Sequence, residues 1–172
     1  MRRSALTMIA VGLLATLLAG SALVGGAAAD DDHLRANLTG ENEVPGPGAP
    51  GGASGVARVE VKPQKGMVCF KLRWEEISAP TAAHIHAGGA DVAGPVVVTL
   101  FMTSEAPDQP PTLPETITAV EGCSDMVAIP EGASFDSTTQ LLLNIKRNPG
   151  DYYVNVHNLD FPAGAIRGQL KG

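Results

Sequence analysis

Short segments in which apolar and polar residues alternate recur along most of the chain. The clearest are residues 55–61 (Gly-Val-Ala-Arg-Val-Glu-Val) and 67–74 (Met-Val-Cys-Phe-Lys-Leu-Arg-Trp), with a turn at 63–66 between them. A period of two places successive side chains on opposite faces, which is typical of half-buried β-strands. Similar patterns or β-branched runs predict further strands, at residues 34–38, 84–86, 96–101, 117–120, 126–129, 152–157 and 165–170.

A helical period is clearest over residues 138–147. Leu141, Leu142 and Ile145 form an apolar stripe there, and Asn-Pro-Gly at 148–150 ends it. Several short strands separated by Gly- and Pro-containing turns predict an all-β fold. We expect an antiparallel Greek-key β-sandwich or barrel of about eight strands with one short helix.

The first 29 residues have the composition of an export signal. Two arginines at 2–3 precede an apolar run over 6–18, and three alanines at 27–29 form a small-residue cleavage site. The sequence therefore predicts a cleaved signal peptide at 1–29 and a single mature domain at 30–172, secreted or periplasmic. A retained membrane anchor is the alternative, because the whole apolar segment is just long enough to span a bilayer.

The predicted mature domain is acidic. Without the two N-terminal arginines, residues 30–172 contain 10 basic and 18 acidic residues, a net charge of −8. Domains that bind nucleic acid or anionic lipid carry the opposite charge, so neither partner is expected.

Cys69 and Cys123 are the only cysteines of the chain. Their separation excludes a CxxC redox pair, and an exported protein meets an oxidising environment. We therefore predict a disulfide that closes a loop of about 55 residues and stabilises the fold by a few kcal/mol. A role as metal ligands is the alternative for these two residues.

Three of the four histidines lie on two predicted strands. His84 and His86 flank Ile85 on the first strand, and His157 follows Val156 on the second. If the two apolar residues face the core and the strands are neighbours, the three imidazoles lie together on the outer side of the sheet. Three imidazoles with an open coordination position suit copper, with zinc as the second choice. The sequence leaves open whether the two strands are adjacent.

Metal-bound imidazoles donate their second N–H to an oxygen acceptor. Strand faces and loop proximity give four candidates for this role: Asn155, Asn158, Asp160 and Glu43. The alternative is that the histidines are structural and hydrogen-bond carbonyl groups of the loops at 41–52 and 88–94. We expect Arg167 to be structural as well, with its guanidinium bound to carbonyl groups or to Asp160.

Four segments, taken in order, resemble the motif series of the CHRD domain, a family named after chordin and widespread in exported bacterial proteins. They are residues 38–45 (Leu-Thr-Gly-Glu-Asn-Glu-Val-Pro), 83–88 (Ala-His-Ile-His-Ala-Gly), 153–158 (Tyr-Val-Asn-Val-His-Asn) and 164–170 (Gly-Ala-Ile-Arg-Gly-Gln-Leu). The resemblance covers about residues 33–171, implies a CHRD domain over 30–172, and attaches no reaction to it. Ala165 departs from the pattern, since many members have Glu there, so a carboxylate that would pair with Arg167 within its strand is absent.

The histidine layout is also similar to that of the Cu,Zn superoxide dismutases, which place a His-x-His strand, a later histidine and a C-terminal arginine around copper. By this likeness His84, His86 and His157 would be copper ligands, and Arg167 would be an anion-binding group beside them. No histidine lies between His86 and His157, so the bridging and zinc-loop ligands of those enzymes are missing. Dismutase activity is therefore not expected.

The leading interpretation is a secreted, non-enzymatic CHRD-domain protein that binds copper through its histidines and buffers or delivers it. One alternative is an extracellular protein-interaction module with structural histidines, and another is a copper redox enzyme. The metal interpretation requires imidazoles within reach of one ion, and the interaction module requires an exposed apolar patch. The enzyme requires an open coordination position beside a pocket.

Overall fold

The computed structural model describes residues 33–103 and 112–172, which form eight strands and the helix α1 (Thr138–Arg147). The predicted signal peptide and most of the loop that carries the prolines after residue 103 lie outside these residues. The strands are β1 (His33–Thr39), β2 (Ser54–Lys62), β3 (Met67–Glu75), β4 (Pro80–Ala87), β5 (Val96–Met102), β6 (Ala119–Ser124), β7 (Tyr152–Asn158) and β8 (Ile166–Gln169). Short 3₁₀ turns occupy Gly40–Asn42, Pro63–Lys65 and Pro149–Asp151.

All eight strands belong to one antiparallel sheet in the order β5-β4-β7-β8-β1-β2-β3-β6. The segment after β6 then bonds to β5 at the other end of that order. The Thr99 N–H donates to the Met126 carbonyl over 3.0 Å, and the Ala128 N–H donates to the Val97 carbonyl over 2.9 Å. The sheet is therefore nearly closed into a barrel, which removes most of its free edge. This confirms the all-β class, the eight strands and the single helix among the described residues.

The strand β6 differs from what the sequence predicts. A strand was expected at 117–120 and another at 126–129, whereas β6 begins at Ala119 and continues to Ser124, and the second segment forms only an isolated bridge from Val127 to Val98. Most residues of β6 are exposed on both faces, so its sequence shows no apolar and polar alternation. Its partner strand fixes its place instead, because Cys123 lies opposite Cys69 of β3 and is bonded to it in the predicted disulfide.

The barrel interior is filled by the inward residues of the strands and by the helix. Leu141, Leu142 and Ile145 are fully buried, as the helical period predicts. The helix begins at the predicted residue because Ser137 caps it: the Ser137 hydroxyl oxygen accepts a hydrogen bond from the Gln140 N–H over 3.3 Å. Apolar side chains fill most inward positions, and the polar Ser124 that lies opposite Val68 is satisfied by donating to the Thr99 carbonyl over 2.6 Å.

Candidate metal centre

The strands that carry the three histidines are neighbours. In the β4–β7 ladder His84 lies opposite Asn155, and Ala82 lies opposite His157. Ile85 and Val156 are fully buried in the core. The histidines therefore lie on the outer face of the sheet, and the adjacency that the sequence left open is confirmed.

The three imidazoles converge on one point. One nitrogen from each ring lies within 4.8 Å of the nitrogens of the other two. His84 Nδ1, His86 Nε2 and His157 Nε2 are buried and have no hydrogen-bond partner. Nitrogens bound at about 2.0–2.1 Å to a tetrahedral ion are about 3.4 Å apart, so the nitrogens need to approach one another by at most about 1.4 Å to share one.

Backbone carbonyl groups orient two of the rings. The Nδ1 of His86 donates to the carbonyl of Gly94 over 2.9 Å, and the Nδ1 of His157 donates to the carbonyl of Pro162 over 3.1 Å. With the proton on Nδ1, the lone pair of each ring is on Nε2, the atom that faces the other histidines. The hydrogen bonds from the two Nδ1 atoms thus go to backbone carbonyl groups of loops, whereas the sequence analysis named side chains as their acceptors.

The three rings are neutral at pH 7. Burial, together with smaller contributions from the neighbouring His157 and His86, lowers the pKa of His84 to about 4. Burial also lowers the pKa of His86 and of His157, although the hydrogen bonds to the loop carbonyls act in the opposite direction. Neutral imidazole is the form that binds a metal ion.

The cluster opens to a shallow pocket of about 370 Å³ that Met102 and Leu159 also line. These two side chains are 50% and 57% exposed. The methionines are scattered in the sequence, so Met102 showed no signal there. Only the sheet register places Met102 beside the site. Ala82 of β4 lies opposite Met102 on β5 and opposite His157 on β7, so the two residues flank it.

The sequence matches the CHRD domain over residues 34–170. The chain belongs to the CHRD family. Comparisons with curated proteins and with solved structures found no match. CHRD domains occur in secreted proteins, and no helix among the described residues of this one is long and apolar enough to cross a membrane.

The motif arginine of the CHRD domain lies next to the histidines and is 1% exposed. The Nη2 of Arg167 donates to the carbonyl groups of Gly89 and Val92 over 2.8 and 2.9 Å. Its guanidinium lies 3.4 Å from the ring centroid of Tyr153, and that ring is stacked on His86 with centroids 4.8 Å apart. Arg167 thus holds the loop after β4 through its carbonyl groups, as the structural interpretation expected, and reaches the site through Tyr153.

The first motif contributes Glu43, which is 6% exposed. Its Oε2 accepts a hydrogen bond from the Asn155 Nδ2 over 3.3 Å. Burial raises the pKa of Glu43 to about 7, although Arg167 and Asn155 both lower it. A Cβ at Gly164 would overlap this carboxyl group, so the glycine leaves the room that it occupies. Glu43, Asn155 and Arg167 form a second cluster, and their hydrogen bonds do not go to the imidazoles.

Asn158 ends β7, and Asp160 lies in the turn that follows. Asn158 Oδ1 accepts from the Phe161 N–H over 2.8 Å, and Asp160 Oδ2 accepts from the Ser78 hydroxyl over 2.6 Å. These bonds hold the turn that presents the Pro162 carbonyl to His157. The two residues support the site through the backbone, whereas the sequence assigned them a direct contact with an imidazole.

Proposed function

We propose that this CHRD domain binds one transition-metal ion through His84, His86 and His157, and that it prefers copper to zinc. The observation that carries the proposal is the convergence of three buried imidazole nitrogens that have no hydrogen-bond partner. Leaving buried polar atoms unpaired costs free energy, and native proteins do so rarely. An ion at the point where they converge satisfies all three. A role in buffering or delivering the metal outside the membrane follows from the predicted export signal.

The preference for copper rests on Met102, which offers a fourth ligand beside the three imidazoles. The Met102 thioether is a soft ligand, and it lines the same pocket as the three rings. Thioether and imidazole together suit Cu(I), whereas a fourth position filled by a hard oxygen ligand would favour other divalent ions. Zinc is the second choice because three imidazoles with an open position also suit it.

The test is the affinity of the untagged protein for Cu(I), Cu(II) and Zn(II), measured by competition with chromophoric chelators. We expect binding of one ion and its loss in His157→Ala and in His84→Ala/His86→Ala. The loss should exceed the roughly 10–100-fold that removal of a supporting hydrogen bond costs. His33→Ala is the matched control, because this fourth histidine is exposed on β1.

Circular dichroism and thermal unfolding would show that each variant is folded. Binding no tighter than that of an isolated surface histidine would contradict the proposal. Equal losses in His33→Ala and His157→Ala would also do so, because the ion would then not be bound at the cluster.

A second candidate is a protein-interaction module, which the CHRD family supports. The exposed side chains of Met102 and Leu159 form an apolar rim around the histidine pocket, and such a rim suits a protein partner. In that case the histidines are structural, and removal of metal leaves partner binding unchanged. Binding that requires the metal would instead join the two functions at one pocket.

A further inference from the structure

The outer face of β1, β2 and β3 carries a row of cations that runs across the strands. Lys171 lies opposite Arg35, Arg35 lies opposite Arg58, and Arg58 lies opposite Lys71. All four residues are exposed. We call these four residues the cationic row. Since neighbouring strands are about 4.8 Å apart, the row is about 14 Å long.

This arrangement of cations does not help the domain to fold. Like charges directly opposite one another in a sheet destabilise it. The domain also has few cations to place, since residues 30–172 contain 10 basic and 18 acidic residues. Six of those ten basic residues nevertheless lie on this face: the cationic row together with Lys62 and Arg73.

The carboxylates of this face do not cancel its charge. Among the described residues, Glu60 and Glu75 lie at outward positions of these strands, and Glu121 lies on the neighbouring β6. Glu121 pairs with Lys71 over 2.9 Å, but both side chains are about 70% exposed, and surface pairs of this kind contribute little. Glu60 pairs with Lys62, which lies outside the row. Among the described residues this face therefore carries more cations than carboxylates, although the domain as a whole is negative.

The cationic row crosses a groove of about 470 Å³. Arg35, Arg58 and Lys71 line it, and the Cys69–Cys123 disulfide forms part of its floor. A covalent link between β3 and β6 holds this floor in place. The groove gives a chain-like ligand a fixed surface that follows the row.

We infer that the cationic row binds a linear anionic polysaccharide, a chain of uronic acids. Such a polymer carries one carboxylate per sugar, and the cations of the row recur once per strand, at about 4.8 Å. A chain lying along the row thus meets one cation per sugar over about four sugars. The acidic remainder of the domain does not oppose this contact, because a thin chain touches only the positive face.

Other polyanions fit the face less well. Recognition of single-stranded nucleic acid uses aromatic side chains on which bases stack. The outward positions of β1, β2, β3 and β6 contain no Phe, Tyr or Trp. Double-stranded nucleic acid and an anionic membrane are broad enough to meet the acidic surroundings, which repel them.

The test is binding of a purified alginate oligosaccharide of about eight sugars, measured by calorimetry at low salt and at about 0.2 M salt. A neutral dextran oligosaccharide of the same length is the control ligand. We expect the protein to bind alginate and not dextran, and to bind it more weakly at the higher salt. Arg35→Gln/Arg58→Gln should weaken binding at least about tenfold.

The matched control variant is Lys65→Gln/Arg147→Gln, which removes the same charge from exposed positions outside the face. It should change the affinity less than about twofold. His157→Ala should leave it unchanged, which separates this site from the metal centre. Thermal unfolding would establish that all variants are folded.

Three results would overturn the inference. The first is an absence of alginate binding to the wild-type protein at low salt. The second is an equal loss of affinity in the two double variants, because binding would then depend on net charge and not on the row. The third is tighter binding of an oligothymidylate with the same number of charges, which would make the face a nucleic-acid site.

Discussion

Replacing Glu43 by Gln should change how the stability of this domain depends on pH. Burial raises the pKa of Glu43 from 4.5 to about 7 in the folded protein. The charged group that faces it is Arg167, from β8, and this cation only partly offsets the burial. Between pH 4.5 and 7 the folded protein therefore binds a proton at this site that the unfolded chain has lost.

The sign and size follow from proton linkage. Stability falls with rising pH wherever the folded state binds more protons, so the contribution of Glu43 is complete below pH 4.5 and is lost as pH rises through about 7. A shift from 4.5 to about 7 corresponds to at most about 3–4 kcal/mol, at about 1.4 kcal/mol per pH unit. The variant Glu43→Gln keeps the shape and the acceptor oxygen for Asn155 but has no proton to lose. It should therefore be more stable than the wild type at pH 8 by up to that amount.

Urea unfolding of the metal-free protein between pH 4 and 8 would measure this effect as a difference between wild type and variant. The difference is needed because the lowered pKa values of the histidines act the other way: their contribution is present above pH 6.5 and is lost as pH falls, through about 4 for His84. Glu41→Gln is the control, since Glu41 is exposed two residues away. A difference between wild type and Glu43→Gln that stays constant from pH 4 to 8 would refute the reasoning.

Two further predictions concern the framework of the site. Cys69→Ala/Cys123→Ala should lower the free energy of unfolding by about 2–4 kcal/mol in denaturant titrations, because it removes a covalent link between residues that are 54 positions apart in the sequence. An unchanged unfolding midpoint would contradict this prediction. Gly168→Ala should cost about 1–3 kcal/mol, because the added Cβ overlaps the carbonyl oxygen of Asn37 on the neighbouring strand. Gly150→Ala is its control, since nothing lies within 4 Å of a Cβ there, and equal effects of the two changes would refute the steric argument.

Much of the fold could be predicted because most strands bury one face. The alternation over β2 and β3 follows directly from a closed barrel with its core inside, and the helix has the predicted bounds because Ser137 caps it and Pro149 follows its end. Strand β6 could not be predicted in the same way. Most of its residues are exposed, and its position depends on pairing with β3 and on a disulfide to Cys69, both of which are distant in sequence.

The histidine cluster could be predicted in part for the same reason. A period of two fixes the faces of His84, His86 and His157, but their meeting requires the long-range pairing of β4 with β7. The groups that orient the rings are backbone carbonyls of Gly94 and Pro162, and a carbonyl group has no signature in the sequence. The bond from His86 to Gly94 is the kind that the alternative interpretation expected for the loop at 88–94, whereas the four side-chain acceptors do not make the direct contacts assigned to them.

The cationic row shows a different limit of the sequence. Net charge averages over the whole domain, and the value of −8 gave no sign that one face is positive. Arg35, Arg58 and Lys71 are separated by 13 residues or more along the chain. They meet only because the β1–β2 and β2–β3 ladders place them opposite one another.

If the histidines bind an ion as proposed, the position of Arg167 bears on which ion they prefer. Tyr153 lies between His86 and the Arg167 guanidinium, which is 3.4 Å from the ring centroid, so a fixed positive charge lies one ring away from the site. Burial lowers the pKa of His86, and this charge lowers it further, which shows that Arg167 opposes added positive charge there. The repulsion is proportional to the charge of the ion, so it disfavours Zn(II) or Cu(II) about twice as strongly as Cu(I). Neutral imidazoles and the Met102 thioether supply no negative charge to offset it, so at the proposed site electrostatics and ligand softness would both favour the monovalent ion.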